Sequence, residues 1–149
     1  MKRFKFNLES VLKYRESVER YEKGILSGLN AKLAELMGEL AKLNDDYREV
    51  GSEFEKMSGE GISLYDIRSN HAIMENIEFH IEKKSEEIEE QRKLIVRQTA
   101  VVVRTMRDSK TMGRLKEIKY EQYVKDENKE QEKFVEEYIS YQSRLIGNN

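Results

Sequence analysis

The sequence predicts an all-α fold, a long antiparallel two-helix coiled-coil hairpin with an overhanging C-terminal helical segment. The 149 residues contain no Pro, and this removes the strongest helix breaker. Charged and hydrophobic residues each make up 38% of the chain, a composition typical of helices with one narrow apolar stripe. Apolar residues recur in alternating steps of three and four, the spacing of a coiled-coil seam. We therefore expect residues 1–149 to form a single elongated helical hairpin.

The first helix is expected at about residues 7–57. Upstream, consecutive four-residue steps through Tyr21, Ile25 and Leu29 predict a stutter that locally unwinds the supercoil. Farther along, steps of three and four alternate without a miss. That regular stripe consists of Leu33, Leu36, Leu40, Leu43, Tyr47, Val50, Phe54 and Met57.

A turn is expected at residues 58–62, where the sequence reads Ser-Gly-Glu-Gly before Ile62. Two glycines in four residues end a helix and permit a positive φ. Ser63, followed three residues later by Asp66, resembles a helix N-cap with an acidic residue in the first turn. So short a connection between two amphipathic helices favours antiparallel packing.

The second helix is expected at about residues 63–146, with a possible kink near Gly113. Its second seam position is more polar than the first, so we expect a partly hydrated layer there. The first position repeats every seven residues, as Ile67, Met74, Ile81, Ile88, Ile95 and Val102. The second position carries Ile77, Lys84, Gln91, Gln98 and Thr105.

The two predicted helices are unequal in length. A fold about position 60 places residue i near residue 120 − i, so Phe4 would lie roughly opposite Lys116, and residues after about Lys119 would lack a partner. This overhang is highly charged, and separated from tertiary packing it gains little from helix propensity. We expect a partner to order it. Its weak apolar stripe consists of Phe134, Tyr138, Tyr141 and Leu145.

Catalytic and metal-binding residues are not expected. The chain has no Cys, and His71 and His80 are nine residues apart, unlike an i, i+4 metal-binding pair. The carboxylates have the density of a solvated coiled coil, and no Gly-rich phosphate loop or nucleophile elbow occurs. No segment reads as a signal peptide or membrane span. The sequence predicts a soluble protein without a cofactor that binds other proteins.

Charge is segregated along the second helix. Residues 92–119 contain nine basic and two acidic side chains, a net charge of +7. Such a face suits an acidic protein surface or a phosphate backbone. We favour a protein partner, because the basic run lacks interleaved aromatic residues. Ile73 and Ile77 lie beside the seam, where they form an exposed docking patch or simply widen the core; both interpretations stay open.

The residues at the two ends of the chain resemble those of a known family. Phe4-x-Phe6-x-Leu8-Glu9-x-Val11-Leu12-x-x-Arg15 resembles the start of the FliJ family of flagellar export proteins, which is related to the stalk proteins of type III secretion. A charged C-terminal signature is also similar, although Glu136-Glu137 departs from the usual Asp-Glu pair. Its residues here are Met112, Leu115, Lys116, Glu117, Lys119, Tyr123, Glu130, Gln131 and Lys133.

This resemblance implies a cytoplasmic component at the base of the flagellar export apparatus. It implies contact with a hexameric export ATPase, the cytoplasmic domain of the export gate and export chaperones. The gate contact would fall on Ile73, Ile77, His80 and Lys84. Alternatives are a helical-hairpin chaperone for export substrates and a basic coiled coil on nucleic acid. The implied ATPase-binding residues are Phe4, Phe6, Leu8, Val11, Leu12, Arg15, Arg114, Leu115, Lys116, Lys119 and Tyr123.

Overall fold

A computed structural model describes residues 2–148 and confirms the all-α fold. Helix α1 spans Glu9–Glu60 and helix α2 spans Leu64–Gly147, with no strand among the described residues. The two helices pack against each other in antiparallel directions as a helical hairpin. Neither helix has a stretch apolar enough to cross a lipid bilayer within the described part of the chain.

Packing divides the chain into two compact units. The hairpin unit is Tyr21–Val103, and the terminal unit combines Met1–Arg20 with Arg104–Asn149 in their described parts. Each unit contains a portion of α1 and a portion of α2. The hairpin unit includes the turn, whereas the terminal unit includes the residues near both ends of the sequence.

The turn is shorter than the sequence predicted, because α1 continues through Ser58 and Gly59 to Glu60. Among residues 2–148, only Gly61 has a positive φ, +88°, so a single residue supplies the left-handed conformation that reverses the chain. The expected cap forms at the start of α2. The Asp66 backbone N–H donates to the Ser63 hydroxyl at 3.2 Å, and that hydroxyl donates to the Asp66 carboxylate at 2.9 Å.

The regular stripe of α1 forms its seam in the hairpin unit. Leu36 is buried, and the other stripe residues up to Phe54 are partly buried. The predicted stutter upstream is wrong in its residues: Tyr21 and Ile25 are exposed, whereas Glu22 and Leu26 are partly buried. Apolar spacing misses this stretch because a polar side chain, Glu22, occupies the seam.

The seam of α2 confirms the seven-residue repeat, with Ile88 and Val102 buried. At the first position, however, Ile67 is 40% exposed. At the second position, Gln91 is buried and donates from Nε2 to the Leu29 carbonyl oxygen at 2.9 Å. Gln98 donates in the same way to the Glu22 carbonyl oxygen at 3.0 Å. Each of these bonds gives one amide N–H of the side chain an acceptor within the protein.

In the terminal unit, the non-helical residues before α1 pack against α2 farther along than predicted. The Phe4 ring lies 5.2 Å from the Tyr120 ring and 5.5 Å from the Tyr123 ring, between centroids. Phe4 also lines a pocket with Lys116, so the predicted pairing holds to within about one or two helical turns, whereas the overhang does not begin after Lys119. Residues 2–7 are not helical, so they extend farther per residue than a helix and reach these rings.

The unpartnered part of α2 begins about eight residues later than expected. Within the terminal unit, every residue from 128 to 148 is exposed. We call residues 128–147 the exposed helical segment. The helix passes through Gly113 without ending.

Candidate partner-binding surfaces

A groove lies between the non-helical N-terminal residues and α2 in the terminal unit. It has a volume of about 630 Å³. Phe4 and Tyr123 line it together with four basic side chains and one acidic side chain, Asp126. The basic side chains exceed the acidic ones by three, so the groove suits an acidic segment with apolar side chains. Its basic residues are Lys2, Arg3, Lys5 and Lys119.

Tyr123 fixes one wall of this basic groove. Its hydroxyl donates to the Lys2 carbonyl oxygen at 2.8 Å and also lies 3.1 Å from a Glu127 carboxylate oxygen. Partial burial and then the hydrogen bond to Glu127 raise the pKa of Tyr123. The side chain therefore stays neutral at physiological pH and holds the N-terminal residues against α2.

The predicted ATPase-binding residues all lie in the terminal unit, but they differ in exposure. Phe6 and Leu12 are buried, at 8% and 6% exposure, so they support the surface from beneath. Leu8 and Val11 are 40% and 38% exposed and are available for contact. Leu115 is partly buried.

The basic residues of this group are engaged to different degrees. Arg15 lies 3.4 Å from the Asp108 carboxylate, and Lys116 lies 2.9 Å from the Glu9 carboxylate. These two pairs join α1 to α2 within the terminal unit. A 2.9 Å bond to the Glu117 carboxylate raises the pKa of Arg114. Exposed pairs of this kind stabilise weakly, so a partner can compete for these groups.

The exposed helical segment presents a wider apolar face than the sequence suggested. The predicted stripe is confirmed as exposed, with Phe134 70% and Tyr138 56% accessible. A second stripe, not singled out from the sequence, runs beside it through Val135, Ile139 and Ile146, each more than half exposed. The spacing of four and seven residues between these side chains is the sequence signal that could have predicted this stripe. Soluble proteins rarely leave such a continuous face uncovered.

The line predicted for the export gate lies in the hairpin unit. Ile73 is 49% exposed and His80 is exposed, whereas Ile77 and Lys84 are partly buried. We call these four residues the gate patch. Ile73 therefore fits the interpretation as an exposed docking residue, whereas Ile77 fits the interpretation as a residue that widens the core. The role of the patch stays a prediction.

Lys84 is a structural member of this patch. Its ammonium group lies 2.6 Å from the Glu39 carboxylate across the helix pair and 3.3 Å from the Glu87 carboxylate. The hydrogen bond to Lys84 lowers the pKa of Glu39, and the same bond raises the pKa of Lys84. Its side chain is only 20% exposed, so a partner would meet mainly Ile73 and His80.

Phe79 is an exposed aromatic residue beside the gate patch that sequence reasoning missed. It is 54% exposed, and its ring centroid lies 5.7 Å from that of His80. The Lys83 ammonium group lies 5.6 Å from the Phe79 centroid, within cation–π range. A large aromatic residue outside both seam positions was the signal. It extends the apolar surface around His80.

Comparison with known proteins gives consistent results. Residues 4–145 match the family described as Flagellar FliJ protein. No curated protein sequence matches the chain. The structure of a YscO homolog from Chlamydia trachomatis is similar, with a TM-score of 0.67 and 17% identity, over 98% of this chain and 96% of that one. At that identity the similarity shows a shared fold.

Proposed function

We propose that the chain, which belongs to the FliJ family of flagellar proteins, is a non-catalytic stalk between the hexameric export ATPase and the export gate. Family membership makes the chain a component of type III protein export; the proposal specifies its contacts. It acts in the cytoplasm at the base of the export apparatus, where it meets the membrane only through its partners. Export chaperones are further proposed partners.

The observation that supports the ATPase contact is that the terminal unit contains both the basic groove and the exposed apolar residues of the exposed helical segment. The basic groove suits acidic side chains, and the exposed helical segment leaves apolar residues uncovered that a surrounding protein would bury. Burial of apolar area at about 25 cal/mol per Å² is the main source of binding free energy. A ring that encloses this unit would contact both surfaces.

ATPase activity of the purified export hexamer, with and without this chain, tests the proposal. The chain should raise the activity. Lys119→Glu reverses one charge in the basic groove and should reduce the stimulation several-fold, because a charge pair across an interface becomes a repulsion. Lys56→Glu makes the same charge change at an exposed site in the hairpin unit and serves as the matched control. Equal stimulation by both variants would remove the groove from the contact.

The gate contact is tested separately with Ile73→Ala combined with His80→Ala, the two exposed members of the gate patch. Loss of two exposed side chains from a contact should weaken binding to the gate domain about tenfold or more, while helicity stays nearly unchanged. Val96→Ala is the control, because Val96 is 70% exposed on α2 in the same unit. Binding by isothermal calorimetry that is unaffected by the double variant would exclude the gate patch.

A second candidate is a chaperone that masks the amphipathic helices of export substrates. The exposed helical segment favours it, because one apolar helix face can bury another. A pull-down with purified components distinguishes the two functions. A stalk retains the hexameric ATPase, whereas a chaperone retains a filament or hook protein.

A further inference from the structure

The exposed helical segment has the sequence pattern of one strand of a two-helix coiled coil. Phe134, Tyr138, Tyr141 and Leu145 follow one another in steps of four, three and four, the spacing of alternating d and a positions. All four are exposed, between 54% and 70%. A seam of this kind requires a second helix with a matching stripe.

We propose that this second helix is the same segment of a second copy of the chain, paired in the antiparallel direction. In such a pair each a position, Tyr138 or Leu145, faces a d position, Tyr141 or Phe134, of the partner helix. Phe134 then packs against Leu145 of the other copy, and Tyr138 packs against Tyr141. The two-fold axis repeats each contact, so four apolar layers form without a polar residue in the seam.

The charges that flank the stripe select this register. In the antiparallel pair, the g positions of the two helices face each other. Glu137 and Arg144 occupy the g positions of this segment. The proposed register therefore places Glu137 of each copy beside Arg144 of the other, which gives two attractive pairs across the interface.

Neighbouring registers lack this complementarity. A shift of seven residues one way places Glu137 of one chain beside Glu137 of the other, and it places Glu127 opposite Leu145. A shift of seven residues the other way places Arg144 of one chain beside Arg144 of the other, and only two apolar layers remain in the seam. A parallel pair places Glu137 beside Gln142, so no opposite charges meet. Charge and apolar spacing thus agree on one arrangement.

The contact is short, and its strength follows from its length. The twelve residues from Phe134 to Leu145 measure about 18 Å as a helix, and four layers bury less than the roughly 1,200 Å² of a stable interface. We therefore expect a dimer that forms and dissociates with concentration. It covers the stripe through Phe134, Tyr138, Tyr141 and Leu145 whenever no other protein does. This inference does not depend on the proposed function.

Sedimentation equilibrium of the full chain tests the self-pairing. Between about 1 μM and 1 mM, the range in which weak complexes dissociate, the average mass should rise from 17.7 kDa toward twice that value. Glu137→Arg alone, or Arg144→Glu alone, turns both attractive pairs into repulsions. Each should raise the dissociation constant roughly tenfold, given the usual strength of exposed pairs.

The double variant carries the decisive outcome. Glu137→Arg combined with Arg144→Glu restores opposite charges across the proposed axis and should restore the wild-type dissociation constant. Glu136→Arg, on the outer face of the same helix, makes the same charge change and should leave it unaltered. A monomer at every concentration would overturn the proposal. So would single variants without effect, or a double variant that stays as weak as the single ones.

Discussion

The hairpin unit and the exposed helical segment have similar amphipathic sequences, but their apolar stripes have different surroundings. In the hairpin unit, the apolar stripes of α1 and α2 face each other, and Leu36 is only 3% exposed. In the exposed helical segment the stripe faces solvent, and Leu145 is 54% exposed. The comparison teaches that an apolar stripe predicts a packed surface but not the molecule that covers it. Where the chain supplies no cover, the stripe indicates a partner.

The largest expected difference between the two regions is in stability. Leu36→Ala should lower the free energy of unfolding by about 2–5 kcal/mol, because it leaves a cavity between α1 and α2. Leu145→Ala makes the same change on a surface that contacts nothing in the monomer and should cost less than about 0.5 kcal/mol. Urea unfolding of dilute protein, followed by circular dichroism, measures both values. Equal losses would show that residues 128–147 fold against the rest of the chain.

A smaller effect concerns the polar positions of the seam. Gln91→Ala removes the hydrogen bond to the Leu29 carbonyl oxygen and the packing of a buried side chain, and it should cost about 1–2 kcal/mol. Gln142→Ala, in the exposed helical segment, is the matched change. Its amide donates to the Tyr138 hydroxyl on the same helix and is exposed, so we expect almost no loss in the same urea experiment.

The smallest effect is a local dependence on pH. The bond to Lys84 lowers the pKa of Glu39, so the pair stabilises the folded state above the ordinary carboxyl pKa. This contribution is lost as the pH falls through the lowered pKa, where Glu39 becomes protonated. In the variant Lys84→Met, carbon-13 NMR titration should show the Glu39 pKa rise toward its ordinary value. An unchanged titration would mean that the bond does not persist in solution.

The sequence predicted the features that depend on local and periodic information. Helix type, the Ser63–Asp66 cap and the burial of Leu36 and Ile88 follow from turn residues and from the spacing of apolar residues. These features arise within a few residues or repeat along one helix, so a single sequence contains enough information to locate them.

The features that sequence reasoning missed depend on pairing between distant residues. Spacing of apolar residues could not place Glu22 in the seam, because its partner Gln98 is 76 positions away. The contact of Phe4 with Tyr120 depends on the length of the turn and on the extended form of residues 2–7. A register error of a few residues there moved the start of the unpartnered segment from 120 to 128.

The candidate surfaces were predicted in part. The stripe through Phe134 and Tyr138 was visible in the sequence, whereas the second stripe and the exposed Phe79 needed the structure. Phe6 and Leu12 were predicted as contact residues, and the structure places both in the interior. Exposure is a property of the whole packing, so apolar residues at similar spacing cannot be divided into core and surface beforehand.

The central claim is that residues 128–147 are left for other proteins to cover, and hydrogen exchange of their backbone amides tests it most directly. In dilute protein these amides should exchange early, while those near Ile88 stay protected, because an unpacked helix opens readily. Addition of the export ATPase hexamer should slow exchange in this segment. Strong protection in the isolated chain, or exchange that the ATPase leaves unchanged, would contradict the account.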